Sequence, residues 1–315
     1  MALVSLLLGG ISLLLLGGHY LVHHAVGLAE RLNVPPLVVG LTVVAFGTSA
    51  PELVISIDAV LTGHDDIVIG NIIGSNIANL LLVLAVSALI FPVSVDRGVV
   101  QREGTILIAS ALLFAFLLHD GQVTLLDGVI LLSCLAAYTA FAFLVPSDDD
   151  HTMPSARDAT EPSPPAASGG MAMDIGLIVV ALAALALGSH MFVDGAVRLS
   201  QFLGVSEAVI GLTVVAVGTA APEIVTAAIA AWKRQTDLAI GNVVGSSIFN
   251  LLGIAGAAAL VSEIAVDQRF LGIDFGMMLA ASIIIFAGGM ILGRLGRSAG
   301  AVMLFIYAAY LTQLG

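Results

Sequence analysis

Apolar runs of about 20 residues recur along this chain, separated by short polar segments, and each is long enough to cross a hydrocarbon core ~30 Å thick as a helix. The composition agrees with this pattern, since 59% of the 315 residues are hydrophobic and only 10% are charged. The alternating polar and apolar segments typical of membrane β-barrels are absent. The sequence therefore predicts an all-α membrane protein.

The apolar runs between polar segments predict ten transmembrane helices. Their expected extents are residues 2–27, 36–62, 66–92, 102–119, 124–145, 172–201, 207–233, 237–262, 271–292 and 297–314. The first run lacks a basic start and a polar cleavage region, so we expect a retained helix rather than a signal peptide. The segment after the fifth helix, residues 146–170, is rich in Pro, Ser and Asp, and we interpret it as a flexible linker.

The two sides of this linker resemble each other at a constant offset of 171 residues. GLTVVAFGTSAPE at 40–52 matches GLTVVAVGTAAPE at 211–223 in 11 of 13 positions, and GNIIGSNIANLL at 70–81 matches GNVVGSSIFNLL at 241–252 in 8 of 12. Such self-similarity indicates an internal duplication.

The duplication predicts one five-helix repeat in residues 1–145 and a second in residues 171–315, joined by the linker. Because five is an odd number, the second repeat must begin on the opposite side of the membrane. The halves are therefore expected to be inverted repeats, an architecture that many secondary transporters share.

The distribution of basic residues predicts the orientation, because cytoplasmic loops carry an excess of Lys and Arg. If the N-terminus lies outside, the outer loops hold only Arg198 and Arg269. The inner loops then hold Arg31, Arg97, Arg102, Arg157, Lys233, Arg234, Arg294 and Arg297. We therefore expect a multi-pass protein of the cell membrane with both termini outside and the linker in the cytoplasm.

Glu52 and Glu223 lie near the middle of two apolar helices, where a carboxylate costs at least ~3 kcal/mol. No Lys or Arg is predicted at comparable depth, so a bound cation is the expected compensation. Pro51 and Pro222 precede the two glutamates, and each removes a helical hydrogen bond to the carbonyl four residues earlier. Each helix should open there and leave backbone oxygens free to line a cavity. Thr48 and Ser49 are expected on the same helix face as Glu52.

The third predicted helix carries a polar stripe of Asn71, Ser75 and Asn79, and the eighth repeats it as Asn242, Ser246 and Asn250. We interpret Asn71 and Asn242 as interhelical hydrogen-bond partners. The other four, further into their helices, are better placed as ligands. Carboxylate, amide, hydroxyl and carbonyl oxygens are hard ligands that suit Ca²⁺ and Na⁺.

These two pairs of motifs resemble the two α-repeats of the sodium/calcium exchanger family, within the calcium/cation antiporter superfamily. The resemblance covers the second, third, seventh and eighth helices residue by residue. It implies an antiporter that exchanges Na⁺ for Ca²⁺ by alternating access, with the first and sixth helices sliding against the core. Family members commonly exchange three Na⁺ for one Ca²⁺.

The resemblance also implies which residues surround the ions. The implied set consists of Thr48, Ser49, Glu52, Ser75 and Asn79 from the first half, Thr219, Glu223 and Ser246 from the second half, and the backbone carbonyls of Ala45 and Ala216. Two positions depart from the family pattern: Ala220 replaces a serine, and Asn250 stands where many members carry an aspartate. These departures leave Ca²⁺ binding feasible and leave the coupling ion and the stoichiometry open.

The residues leave two alternative functions open. A cation/H⁺ antiporter (Ca²⁺/H⁺) fits, because protonating Glu52 and Glu223 would also neutralise an empty site. A cation channel fits because an oxygen cage can also conduct. An enzyme is not expected, since an HExxH motif and paired membrane aspartates are absent.

The expected partners are Ca²⁺, Na⁺ or H⁺, and the lipid bilayer. Neither an organic cofactor nor a nucleic-acid partner is expected. The oligomeric state stays open and is compatible with a monomer. His19 and His190 occupy matching positions, and we interpret them as interhelical hydrogen-bond partners or as residues that line the aqueous approach.

Overall fold

The protein, analysed as a computed structural model, is described for residues 2–94, 96–145, 170–204 and 216–314. These residues form long helices joined by short connections. In chain order the helices are α1 Ala2–Leu32, α2 Pro36–Thr48, α3 Ala50–Leu61, α4 Asp65–Ile90, α5 Arg97–Leu117, α6 Leu125–Leu144, α7 Met171–Phe202, α8 Ala216–Thr219, α9 Ala221–Trp232, α10 Thr236–Val261, α11 Ile273–Leu292 and α12 Arg297–Leu314.

By length and composition, seven of the described helices can cross a membrane: α1, α4, α5, α6, α7, α10 and α11. The number becomes eight if α2 and α3, which bend by 44° at their junction, count as one span. The seventh predicted helix lies partly outside the described residues, so the count of ten stays a prediction. The helical membrane class is confirmed.

The helix boundaries follow local signals. The start of α5 at Arg97 is five residues earlier than predicted, because Asp96 caps the helix by accepting hydrogen bonds from the Gly98 and Val99 amides. The end of α1 at Leu32 is five residues later than predicted. There Asn33 takes a left-handed conformation (φ 54°) just before two prolines, which stops the helix.

The 171-residue offset of the sequence recurs in the backbone. The segments Ala50–Leu61 and Ala221–Trp232 are offset by this distance, as are the two-residue strands β1 (Val93–Ser94) and β3 (Ile264–Ala265). Strands β2 (Gln122–Val123) and β4 (Arg294–Leu295) occupy nearly corresponding positions. The antiparallel pairs β1–β4 and β2–β3 are interchanged when the halves are exchanged, as a two-fold relation requires.

The helices differ sharply in how deeply they are buried. In α4 and α10, 72% and 78% of the membrane-spanning window is buried inside the protein, against 22–33% in α1, α5, α6, α7 and α11. Large apolar side chains such as Leu8, Phe116 and Trp232 point outward from the bundle. The polar stripes of α4 and α10 therefore lie at the centre, behind an apolar surface suited to lipid.

Helices α1 and α7 pack antiparallel through glycines. A Cβ atom on Gly10 would lie 2.9 Å from the Gly188 carbonyl oxygen, and one on Gly188 would lie 2.9 Å from the Gly10 carbonyl oxygen. At the linker end of this pair, the buried Asp174 of α7 accepts hydrogen bonds from His24 (2.9 Å) and Arg31 (2.5 Å) of α1. The two helices are thus joined by backbone contact and by a partly buried ion pair between Arg31 and Asp174.

Glycine also allows α10 to contact α2, next to the polar stripe. A Cβ on Gly241 would lie 2.5 Å from the Leu37 carbonyl oxygen, and one on Gly245 would collide with the backbone of Leu41. Without these glycines the two helices could not approach so closely.

We expect Gly241→Ala to destabilise the protein by about 1–3 kcal/mol, because the added methyl group must push two backbones apart. The measurement is thermal unfolding in detergent. The matched control is Gly176→Ala in α7, an exposed helical glycine with no described atom near its Cβ position. The control should keep or gain stability, since alanine favours the helix. Equal stability of the two variants would contradict the packing argument.

Candidate ion site

The helix that carries each buried glutamate is broken just before it. The first break falls at Ser49 (φ −84°, ψ 6°), and the second falls at Ala220 (φ −78°, ψ 2°). Pro51 and Pro222 occupy the first turns of the helices that follow, as do Glu52 and Glu223. The prediction that the proline opens the helix is confirmed. Each carboxylate now lies at a helix N-terminus, where the helix dipole favours negative charge.

Glu52 and Glu223 are both buried, with exposed fractions of 2% and 1%. Glu223 Oε1 accepts a hydrogen bond from Ser49 Oγ at 3.2 Å, whereas the Oε2 atoms of both glutamates have no hydrogen-bond partner. Two ionised carboxylates buried in one site would repel each other.

Ser49 does not continue the face of Glu52 as expected. The break at Ser49 interrupts the regular helix, and the Ser49 side chain reaches across to Glu223 of the other half instead. The first half therefore supplies a polar contact to the carboxylate of the second half. Position 220, which corresponds to Ser49, is alanine and has no hydroxyl to return this contact.

Thr48 connects α2 to α10. Its hydroxyl lies 3.1 Å from Asn242 Oδ1, 3.4 Å from Ser246 Oγ and 3.3 Å from the Ala45 carbonyl oxygen. Ser246 Oγ in turn lies 3.4 Å from the Ala45 carbonyl. A hydroxyl has one proton and can serve one of these acceptors at a time. The cluster therefore holds more oxygens than donors, which is a favourable arrangement for a cation.

The asparagines of the two polar stripes lie at local widenings of their helices. Asn79 begins the π-helical turn Asn79–Val83 of α4, and Asn250 lies in the turn Phe249–Ile254 of α10. Such turns often occur at functional sites. Both side chains are buried, and neither amide atom of Asn250 has a hydrogen-bond partner.

The remaining predicted ligands are less enclosed. Ser75 is half-buried and donates to Asn71 Oδ1 at 3.4 Å. Ala216 begins the short helix α8, and Thr219, which is half-buried, ends it just before the break at Ala220. Residues 205–215 lie outside the described part of the chain.

Asn71 and Asn242 make the interhelical hydrogen bonds expected of them. Asn71 Nδ2 donates to the Glu52 carbonyl oxygen (3.1 Å) and to Ser56 Oγ (2.9 Å). Asn242 contacts the other half instead, through Thr48. Asn71 thus positions the backbone of Glu52, and Asn242 ties the two halves together.

Two buried hydroxyls near the second glutamate were not predicted. Ser189 of α7 donates to the Gly218 carbonyl oxygen at 2.6 Å, which is the carbonyl that Pro222 deprives of its helical donor. Thr226, one turn after Glu223, is buried and has no partner. Each is a polar residue within an apolar helix, which was the available signal in the sequence.

The sequence predicts that His19 and His190 form interhelical hydrogen bonds or line the aqueous approach. His19 and His190 are exposed, and it is His24 that forms the interhelical hydrogen bond, to Asp174. The His19 carbonyl accepts a hydrogen bond from Lys233 Nζ at 3.2 Å.

The described residues contain four buried acidic side chains, and they form two classes. Glu103 pairs with Arg102 (2.6 Å) and Tyr138 (3.0 Å), and Asp174 pairs with Arg31 and His24. Glu52 and Glu223 have no ion pair with any described basic residue. Their charge is therefore the only buried acidic charge in the described part of the chain that lacks a basic partner.

A small cavity elsewhere is distinct from this site. It has a volume of about 50 Å³, lies among α4, α5, α10 and α11, and is lined mainly by apolar side chains, with Glu103 and Ser282 at its wall. None of the predicted ligands lines it.

The centre of this apolar helical bundle holds two broken helices with buried carboxylates and amides. This arrangement is typical of a membrane protein that handles cations, rather than of an enzyme. The model of the sodium/calcium exchanger protein family matches residues 2–144 and 173–314. The chain belongs to this family, and it is a multi-pass membrane antiporter.

Individual relatives match over nearly the whole chain. The sodium/calcium exchanger MaX1 of Methanosarcina acetivorans is 32% identical, with 98% of this chain and 97% of MaX1 covered. The inner membrane protein YrbG of Escherichia coli is 32% identical, with coverage of 89% and 86%. A solved structure of the sodium-calcium exchanger NCX_Mj, soaked with Na⁺ and Ca²⁺, superposes with a TM-score of 0.83 at 28% identity, with coverage of 100% and 99%.

Replacing a buried acid by its neutral amide should change the thermal stability in opposite directions for the two classes. In buffer free of Na⁺ and Ca²⁺, Glu52→Gln and Glu223→Gln should keep or raise the thermal unfolding temperature, because the variants remove a repulsive, unpaired group. Asp174→Asn should lose about 1–3 kcal/mol, because it removes a charged acceptor from Arg31 and His24. A loss of stability in the two glutamine variants as large as that in Asp174→Asn would contradict the distinction.

Proposed function

We propose that this protein exchanges Na⁺ for Ca²⁺ across the cell membrane by alternating access at a site near the midplane. The direction proposed is Ca²⁺ extrusion against Na⁺ entry. The observation that carries the proposal is the pair of buried carboxylates, Glu52 and Glu223, contributed by corresponding positions of the two halves and without a basic partner among the described residues.

A cation is the compensation that fits these carboxylates. Removing a carboxylate from water and leaving it unpaired is costly, and two that repel each other cost more. The neighbouring groups offer oxygen atoms and no thiolate, and oxygen ligands suit Ca²⁺ and Na⁺. The unpartnered Oε2 atoms and the unpartnered amide of Asn250 are available to such an ion.

The proposed ligand set keeps the residues expected from the sequence. It comprises Thr48, Ser49, Glu52, Ser75, Asn79, Thr219, Glu223, Ser246, Asn250 and the carbonyl oxygens of Ala45 and Ala216. Support is strongest for Thr48, Ser49, Glu223 and Ser246, which lie within hydrogen-bond distance of one another or of Ala45 across the two halves.

We further propose ten membrane-spanning helices in two inverted five-helix repeats. The recurrence of helix breaks and strands at the 171-residue offset supports the repeats, and the interchangeable strand pairs support a two-fold relation. The excess of Lys and Arg in one set of loops supports an orientation with both termini outside and the linker in the cytoplasm.

The unpaired charge also accounts for obligatory exchange. An empty site carries two carboxylates in a region of low dielectric, so a protein that changes sides while empty pays the full electrostatic cost. A site loaded with Ca²⁺ or with monovalent cations is neutralised and changes sides more easily. The names of the relatives MaX1 and NCX_Mj, both sodium/calcium exchangers, support Na⁺ as the counter-ion.

A Ca²⁺/H⁺ antiporter is the second candidate. Ala220 offers no hydroxyl and Asn250 offers no negative charge to Na⁺, while protons could still neutralise the two carboxylates. A Na⁺ gradient imposed at clamped pH separates the candidates, because only the Na⁺ exchanger would then move Ca²⁺.

We expect a Na⁺ gradient to drive ⁴⁵Ca²⁺ flux in vesicles that contain the purified protein, and Glu52→Gln or Glu223→Gln to abolish this flux. The matched control is Asp58→Asn, on the same helix as Glu52 but exposed, which should retain the flux within about twofold. If wild-type vesicles show no Na⁺-driven flux, the Na⁺ proposal is wrong. Full flux in both glutamine variants would instead refute the site.

A further inference from the structure

We propose that Ser189 of α7 is a positioning residue of the ion site: its hydroxyl fixes the short helix α8 and thereby sets the cation affinity of the second half. The inference rests on the site proposed above, since α8 carries two of its ligands, Ala216 and Thr219. It adds a residue that acts through the backbone of α8 rather than as a ligand.

The Gly218 carbonyl lies between these two ligands and needs a donor from outside its own helix. Pro222 has no amide proton, so the helical hydrogen bond to the carbonyl four residues earlier is missing. Ser189 Oγ donates to this carbonyl at 2.6 Å, and the Ser189 side chain is buried. Because the peptide unit is planar, fixing the Gly218 carbonyl also fixes the amide group of Thr219. Ser189 therefore orients the backbone from which the second half presents its ligands.

Helix α7 also packs directly against Gly218. A Cβ atom on Gly218 would collide with the side chain of Val193, which lies one turn after Ser189 on the same face of α7. The hydrogen bond and the packing contact thus act on the same residue of α8. An O–H···O hydrogen bond of this length is lost when its two oxygens move apart by about 1 Å. The bond therefore holds only while α7 keeps this position relative to α8.

The corresponding position of the first half cannot make this bond. It is Gly18 of α1, which has no hydroxyl, and a Cβ there would lie 2.8 Å from Ile229 Cδ1 and 2.9 Å from Val225 Cγ1 of α9. The broken helix of the first half also rests on α7, because a Cβ on Gly47 would collide with the Leu182 side chain. Helix α7 thus packs against both broken helices, and Ser189 ties it to the second.

This hydrogen bond makes the cation affinity and the position of α7 depend on each other. When α8 is already held in place, a cation binds without having to order it first, which raises the affinity. Conversely, a bound cation that orders α8 favours the position of α7 in which Ser189 reaches Gly218, because coupling between two sites is reciprocal. Ser189 therefore acts on affinity, while the two buried glutamates supply the charge.

Equilibrium binding of ⁴⁵Ca²⁺ to the purified protein in Na⁺-free detergent buffer tests this role. Ser189→Ala should raise the Kd for Ca²⁺ by roughly 5- to 150-fold, because α8 loses the hydrogen bond that orders it. Ser189→Thr keeps a hydroxyl and should restore most of the affinity. The matched control is Ser282→Ala, which should leave the Kd unchanged, since this buried serine of α11 donates within its own helix, to the Met278 carbonyl oxygen.

A merely structural role of Ser189 would change the unfolding temperature without changing the Kd of the folded protein. An unchanged Kd in Ser189→Ala, or a raised Kd that Ser189→Thr does not lower again, would overturn the inference. Ser189→Cys keeps the shape of the side chain with a weaker donor, so it decides the question if Ser189→Ala fails to fold. Its Kd should lie above that of the wild type, and a wild-type Kd would count against the inference.

Flux in vesicles separates the failure of this inference from that of the proposed function. Normal Na⁺-driven flux together with an unchanged Kd in Ser189→Ala would leave the exchange standing and refute the role of Ser189. The expected series of Kd values without any Na⁺-driven flux would refute the Na⁺ counter-ion and uphold that role. If Glu52→Gln and Glu223→Gln bind Ca²⁺ as tightly as the wild type, the site is wrong and the inference fails with it.

Discussion

The burial of two carboxylates, those of Glu52 and Glu223, is the constraint on which the rest of the structure depends. Their exposed fractions are 2% and 1%, and no described basic residue pairs with either. Elsewhere in the chain, the buried acids Glu103 and Asp174 have Arg partners, and each also accepts a hydrogen bond from another helix, Glu103 from Tyr138 and Asp174 from His24. The contrast shows that this fold can neutralise a buried acid with its own side chains, and that the described residues do not do so at its centre.

The local backbone is arranged around this pair of charges. The helix breaks at Ser49 and Ala220 bring each glutamate to the N-terminus of a new helix, where unpaired amides favour a carboxylate. The π-helical turns that contain Asn79 and Asn250 widen the two most deeply buried helices. Irregular backbone of this kind is tolerated in a membrane only inside the protein, and the outer helices provide that enclosure.

The two halves are similar in backbone but not in chemistry. Ser49 donates to Glu223, whereas Ala220 has no hydroxyl to donate in return. Ser189 satisfies the Gly218 carbonyl, whereas the corresponding residue of α1 is Gly18. A duplicated scaffold therefore places equivalent positions around one centre, and substitutions at single positions then make the site asymmetric.

Much of the candidate site could be predicted because its signals are local. A proline next to a glutamate within an apolar run indicates a broken helix and a buried charge, and a repeat at a constant offset of 171 residues indicates that this happens twice. Helix boundaries were less predictable where capping, as by Asp96, competes with hydropathy. The π-helical turns at Asn79 and Asn250 have no comparable signal, because they depend on how neighbouring helices pack.

The sequence by itself determined that this chain crosses a membrane as helices, that it is duplicated, and that Glu52 and Glu223 are its unusual charges, since hydropathy, repetition and proline geometry act over a few residues. Only the tertiary structure decided which groups meet: that Ser49 serves Glu223 rather than Glu52, that Thr48 joins Asn242 and Ser246, and that Asp174 is neutralised while the glutamates are not. The physical reason is that these contacts join residues more than 140 positions apart, and their partners are selected by helix packing rather than by spacing along the chain.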